Sequence, residues 1–280
     1  MIEQTVNLDA WCESNTIPFI LGRGLKPVKY FSPGALLSQL KLDEANRISE
    51  FYQLVQRYSV RLLLHDLLAH PGGLPLKKLL HYCSEKSARG ILNNLISLGL
   101  VVQEGNDYRF QFAPVLRTGD LAELFTGLLL IVKFQIPVLC NVSLGGNSSG
   151  GDFDVLANWM QKLLFVEVKS APPKGIHNST VAAFLDRIVS LVPDVAIFLN
   201  DTHLRVKDKI VLMFEEELIR LRGICSLGNM PIQRVSEQIF QLNHYIYIMN
   251  SRRDLKRNFA VVFNDYLRYN LPLDGLAVRR

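Results

Sequence analysis

Two apolar runs in this chain carry charge at positions where a buried strand normally carries none. The first is Gly151-Asp152-Phe153-Asp154-Val155, and the second is Phe165-Val166-Glu167-Val168-Lys169, with Glu167 falling 13 positions after Asp154. Both have the apolar clustering of strands, and the leucines ahead of Phe165 make the second read as a central one. Glu167 and Lys169 are two apart, so they point to the same face of their strand. Such a face is not ordinary core, because an unpaired carboxylate or ammonium is costly to bury. Neighbouring carboxylates either repel each other or hold a divalent cation. The polar segment Ala157 to Lys162 reads as a hairpin turn that lets Asp154, Glu167 and Lys169 converge. The alternative is a set of edge-strand charges with an exposed Glu167–Lys169 pair, which would contribute about 0–1 kcal/mol.

These residues, in this order, resemble the PD-(D/E)xK nuclease superfamily, the fold of many restriction enzymes and junction resolvases. The resemblance spans roughly residues 118–200 and includes a helix, Asp120 to Leu129, that carries Glu123 in an apolar stripe. No proline precedes Asp154, where the dipeptide is Phe-Asp. The resemblance implies an αβββαβ core and Mg²⁺- or Mn²⁺-dependent phosphodiester hydrolysis. It implies Asp154, Glu167 and the backbone carbonyl of Val168 as metal ligands, with Glu123 as a further ligand or acting through water. It makes Glu123, Asp154, Glu167 and Lys169 the catalytic set, Lys169 orienting or deprotonating the attacking water or standing as a fixed cation. Asp152 shares a strand face with Asp154 and is either a second ligand or a solvated neighbour.

Composition bounds the alternatives. With 280 residues, 49% of them hydrophobic, the chain can bury a sizeable core and is long enough for two domains. A net charge of +5 is compatible with a nucleic-acid partner without requiring one. The four cysteines are far apart with no Cys-x-x-Cys pair, and the six histidines show no ligand spacing with them. That argues against zinc and against a disulfide framework, and suits a reducing cytoplasm. The N-terminus lacks a basic-then-apolar signal pattern. The stretch Leu124 to Val142 is interrupted by Lys133, Gln135 and Pro137, so it reads as helix then strand and the expectation is no membrane span. Neither Gly22-Arg23-Gly24 nor Gly145 to Gly151 has the lysine of a phosphate loop; the latter reads as a hairpin tip.

Ahead of the nuclease-like block, three helical segments precede a hairpin. Val60 to Leu68 is amphipathic and ends before Pro71-Gly72-Gly73, Leu74 to Cys83 is the second helix, and Ser84 caps the third, Glu85 to Ile96, which stops at Gly99. Leu100 to Gln103 and Tyr108 to Phe110 flank the turn Glu104-Gly105-Asn106-Asp107. This arrangement resembles a winged helix, whose third helix would offer Lys86, Arg89 and Asn93 to DNA. Glu85, Glu104 and Asp107 would repel phosphate, so a scaffold or partner-docking role stands beside DNA contact.

Beyond the core, Lys174, His177 and Arg187 are close enough to the site in sequence to be candidate backbone contacts, with an ordinary surface charge the alternative for each. Val206 to Arg222 reads as a helix, Tyr245 to Met249 as a strand, and Ser251 as the cap of a final helix with Arg252, Arg253, Lys256 and Arg257 in its first turns. Cations at that end of a helix favour an external anion, with Arg252 and Arg253 the candidate nucleic-acid contacts.

The expected organisation is an N-terminal segment at 1–57, a winged-helix-like domain at 58–116 and a nuclease-like domain with a C-terminal extension at 117–280. The expected class is mixed α/β, and the expected activity is a cytoplasmic Mg²⁺- or Mn²⁺-dependent endonuclease acting on nucleic acid, DNA foremost. A homodimer is expected because cutting both strands takes two sites; a larger defence or transposition assembly is a further option. The rival reading is a non-catalytic DNA-binding or protein-interaction module on the same fold.

Overall fold

The computed structural model describes residues 7–112, 115–145 and 152–270. Gly146 to Gly151, expected as a hairpin tip, and the N-terminal Met1 to Thr5 lie outside the described residues. Contacts divide the described chain into two compact units, 7–145 with 152–161 and 162–270.

In the first unit, α1 (Leu8–Gly22) starts at Asn7, whose side chain accepts from the Asp9 and Ala10 amides. Strand β1 (Lys26–Phe31) leads into α2 (Pro33–Gln39), where Ser32 caps and Pro33 occupies the first turn. α3 (Ala45–Val55) and α4 (Tyr58–Ala69) meet at Arg61, a buried cation. Its Nη1 donates to the carbonyls of Val55 at 2.6 Å and Gln56 at 3.0 Å, satisfying the orphan end of α3. Its guanidinium lies 4.2 Å from the Phe125 ring centroid, so one side chain ties three helices together.

The segment that follows comprises β2 (Leu74–Pro75), α5 (Leu76–Leu79), α6 (Glu85–Ser97), β3 (Val101–Glu104) and β4 (Asp107–Phe110). The second helix expected over Leu74 to Cys83 is therefore a single turn preceded by a short strand, which pairs with β4 to give a three-stranded sheet β2-β4-β3. Pro75 and the lone buried residue Leu79 explain the shortness, since one apolar contact does not sustain a longer helix. α6 forms as its signals dictate: Ser84 Oγ accepts from the Ser87 amide, Ala88, Ile91, Leu92 and Leu95 are buried, and Gly99 takes a φ of 67° just past its end.

α7 (Thr118–Phe134) is buried along most of its middle, from Asp120 to Ile131, and lies against β5 (Val138–Gly145). β5 pairs antiparallel with β1 on one side and with β6 (Phe153–Trp159) on the other. Gly127 makes that approach possible: a Cβ there would sit 3.0 Å from Pro33, 3.2 Å from the Cys140 sulfur and 3.3 Å from Val138. The turn expected over 157–162 is narrower, because β6 continues through Trp159 and the turn is Met160–Gln161, with φ of 54° and 61°. Asn158 Oδ1 accepts the Gln161 amide at 3.0 Å and holds those left-handed residues in place.

The second unit contains β7 (Lys162–Lys169), α8 (Asn178–Leu191), β8 (Val195–Asn200), α9 (Leu212–Leu221), β9 (Ile232–Ser236), β10 (Ile239–Leu242), β11 (Ile246–Asn250) and α10 (Leu255–Asn270). Its strands run in the order β7-β8-β11-β10-β9, parallel from β7 to β11 and antiparallel thereafter, which makes the sheet mixed. All of β8 is buried, as expected of a parallel strand covered on both faces. Phe165, Phe184, Phe198 and Phe214 lock α8 and α9 to the sheet with ring centroids 5.4–5.9 Å apart.

Two readings near the C-terminus need correction. Ser251 is buried and donates to the Thr202 carbonyl, so it does not cap a helix. α10 begins at Leu255, Asp254 accepts from the Lys256 amide, and Arg252 and Arg253 precede the helix. No helix among the described residues is long and apolar enough to cross a membrane.

Cys12 and Cys140 are buried, and desolvation pushes the Cys12 thiol up to about 12, whereas Cys83 and Cys225 are partly accessible. Ellman's reagent should therefore label Cys83 and Cys225 on the folded protein, with Cys12 and Cys140 reacting only on unfolding. Rapid labelling of all four without denaturant would contradict this packing.

Candidate active site

The first unit holds two of the candidate residues, Glu123 and Asp154. Glu123 is one helical turn before Gly127, on the stretch of α7 drawn close to β5, and its carbonyl accepts from the Cys140 thiol at 3.9 Å. Cys140, fully buried, has its thiol pushed well above the ordinary range, first by desolvation and next by the Glu123 charge, with Cys12, Asp154 and Asp120 adding to it. Glu123 and Asp154 thus share one electrostatic neighbourhood centred on this thiol.

Asp120 anchors the start of α7. It accepts from the Arg117 amide at 3.0 Å and from the Arg117 guanidinium at 3.0 and 2.8 Å. That pairing raises the Arg117 pKa, with smaller contributions from Glu123 and Asp152. Asp152 faces neutral donors on β5: Ser143 Oγ donates to it, and so does the Asn141 amide at 2.8 Å in the orientation that lets the amide oxygen accept from Arg117. Asn141 is left-handed at φ 51°, a conformation asparagine tolerates better than most residues. Ser143 and Asn141 therefore give Asp152 partners that the sequence reading did not identify.

The second unit holds Glu167 and Lys169 and adds a residue from α8. On β7, Leu163, Phe165, Glu167 and Lys169 alternate onto one face, and the Phe165–Phe184 ring contact shows this to be the α8 face. Glu167 is 2% exposed. Lys169 Nζ lies 2.7 Å from Glu167 Oε1, and Arg187 Nη1 donates to both carboxylate oxygens, at 2.9 and 2.8 Å. Arg187 sits three positions after buried Phe184 and four before buried Leu191, so it occupies the inward stripe of α8. That register was the available signal for it. The exposed ion pair considered as the bland alternative is excluded for Glu167, whose carboxylate is buried beneath two cations.

Backbone bonds fix the end of β7. The Lys169 carbonyl accepts from Asn200 Nδ2 and from the Asp201 amide, both at 2.8 Å. Asn200 Nδ2 also donates to the Ala171 carbonyl at 2.7 Å. The Val168 carbonyl, a candidate metal ligand, accepts from Lys169 Nζ at 3.2 Å. Among the described residues, no three His, Cys, Asp or Glu side chains come together in a way that would hold a metal ion.

The candidate nucleic-acid contacts lie on two surfaces. Lys86, Arg89 and Asn93 are exposed on one face of α6, with Arg89 paired to Glu85 at 2.7 Å. Arg252, Arg253 and Arg257 line a pocket with Glu237 and Asn258, and Arg253 bonds Glu237 at 2.7 Å. Lys174 is exposed, and its carbonyl accepts from Lys209 at 2.9 Å.

Comparison with solved structures finds a likeness to protein VC1899 from Vibrio cholerae, with a TM-score of 0.51 and 16% sequence identity. The match covers 89% of this chain and 61% of that one, so this chain spans under two thirds of that protein's length. At such identity the likeness shows the fold alone. No family model matches the chain, and no curated protein matches it.

Buried ion pairs are weak contributors to stability, and replacing Glu167, Lys169 and Arg187 together by apolar residues of similar volume would be near neutral or better. Removing one partner is a different matter. Glu167→Ala leaves the Arg187 guanidinium uncompensated and is expected to cost about 3–5 kcal/mol in urea unfolding. A loss under about 1 kcal/mol would show that Glu167 and Arg187 are not engaged in solution.

Proposed function

We propose that this chain is a metal-dependent nuclease of the PD-(D/E)xK type, acting on DNA. The observation that carries the reading is Glu167, a carboxylate kept in the interior of β7 with Lys169 two residues on, where an apolar set in place of the acid and its two cations would serve folding as well. The chain order α7, β5, β6, β7, α8, β8 supports an αβββαβ core. The order α4, α5, α6, β3, β4, with its three-stranded sheet, supports a winged helix in front of it.

The donor set suits a hard cation. Glu167 accepts three contacts, leaving part of its roughly four-lone-pair capacity for a ligand, and Asp154 is a second oxygen donor. Glu167 and Asp154 would hold Mg²⁺ or Mn²⁺, with Glu123 and the Val168 carbonyl as further donors. The ion, when bound, supplies Lewis acidity toward a phosphoryl oxygen and lowers the pKa of water. Lys169, fixed through its backbone carbonyl by Asn200, offers an ammonium that orients the attacking water or offsets developing charge. Lys86, Arg89 and Asn93 on α6, together with Lys174, Arg252 and Arg253, would supply the sequence-independent phosphate contacts. A homodimer would provide the second site that duplex cleavage requires, either alone or within a defence or transposition assembly.

A non-catalytic nucleic-acid or protein-binding module is the second reading, favoured by the lack of a three-ligand cluster among the described residues. Supercoiled plasmid, linear duplex, single-stranded DNA and RNA incubated with Mg²⁺ or Mn²⁺ separate the two. The nuclease reading expects metal-dependent cleavage that falls by about 10²–10⁴-fold in both Asp154→Ala and Lys169→Ala. Retention of nucleic acid without cleavage under every condition supports the binding module instead.

A further inference from the structure

Arg187 lies outside the motif residues, yet it contacts both carboxylate oxygens of the most deeply buried acid of the candidate site. A single nitrogen, Nη1, meets both oxygens of Glu167. A guanidinium carries five N–H donors spread over three nitrogens and matches a carboxylate best through a two-nitrogen fork. Here the fork is not used. Nε is buried with no hydrogen-bond partner among the described residues. A buried donor left in that state is unfavourable, and native structures keep few of them. Arg187 is 15% exposed at its side chain, so its charge is only partly available to solvent.

Glu167 is crowded as well. Its two oxygens already receive Lys169 and two Arg187 contacts, so a cation taking this carboxylate competes with the Arg187 charge that touches both oxygens. Once released, a largely buried guanidinium needs another anion, because an uncompensated charge there is costly. The anion supplied by the proposed substrate is a phosphodiester oxygen, and planar guanidinium suits that geometry better than ammonium does.

We infer that Arg187 is a third basic residue of the site: it holds Glu167 in the metal-free state and turns its unused donors to the substrate phosphate when a metal takes the carboxylate. This rests on the nuclease reading and adds a substrate-binding residue to it. The position explains why an arginine occupies the inward stripe of α8 among Phe184, Ile188 and Leu191.

The test uses the full chain, a fluorescein-labelled DNA duplex and Ca²⁺, with affinity measured by anisotropy across a salt series. Circular dichroism checks that each variant is folded. Arg187→Gln is expected to weaken binding about tenfold and to reduce the salt slope by nearly one phosphate contact. Mn²⁺ affinity measured without DNA is expected to be retained or tightened, because a competitor for Glu167 has gone. Arg187→Lys is expected to keep the salt slope and lose affinity, since ammonium lacks the second nitrogen. A role confined to holding Glu167 in place would weaken Mn²⁺ binding and leave the slope unchanged, which overturns the inference. If Arg187→Gln does not fold, Arg187→Lys with wild-type affinity overturns it equally. Wild-type protein that binds or cuts DNA alongside an unaltered Arg187→Gln removes this inference alone. Wild-type protein with no affinity for DNA removes the nuclease reading with it.

Discussion

A carboxylate held 2% exposed between an ammonium and a guanidinium is the constraint around which the second unit is organised. Burying it demands partners, and the partners demand positions. Lys169 follows two residues later on the same strand face, and Arg187 arrives from α8, whose own placement is set by Phe184 packing on Phe165 and Phe198. The aromatic cluster thus does more than fill volume: it fixes the helix register that presents a guanidinium to the acid. The parallel β7–β8 register then sets Lys169 opposite Asn200, whose amide clamps the end of the strand.

The first unit meets its constraint by a different device. There the acids lie close to a buried thiol, and closeness comes from the missing side chain of Gly127. Because α7 can lie tight on β5, Glu123 and Asp154 both act on Cys140, a thiol that desolvation keeps protonated. Asp152, by contrast, is satisfied locally by Ser143 and Asn141. Adjacent acids on one short strand segment therefore have different surroundings.

Much of this was legible in the sequence. The strand character of 153–155 and 165–169, the Ser84 cap, the Gly99 stop and the break between α7 and β5 all follow from local signals that nothing long-range overrides. What was not legible depended on partners distant in the chain or on turns without glycine. Arg187 reads as a surface charge until its helix register is combined with the burial of Phe184 and Leu191. The turn at Met160–Gln161 and the one between β9 and β10, where Glu237 has a φ of 27°, use non-glycine residues in conformations that sequence signals assign to Gly or Asn. Ser251 has cap chemistry, but its hydroxyl and amide both donate to the Thr202 carbonyl, and Asp254 accepts from the Lys256 amide at the start of α10 instead.

The central claim is that the Glu167 carboxylate is retained in the interior to bind a cation, not to stabilise the fold. Mn²⁺ binding followed by electron paramagnetic resonance, comparing wild type with the near-isosteric Glu167→Gln, tests it most directly. The account predicts a bound ion in the wild type and at least an about tenfold loss of affinity in the folded variant. Equal Mn²⁺ binding by the two proteins, or none by either, would contradict it.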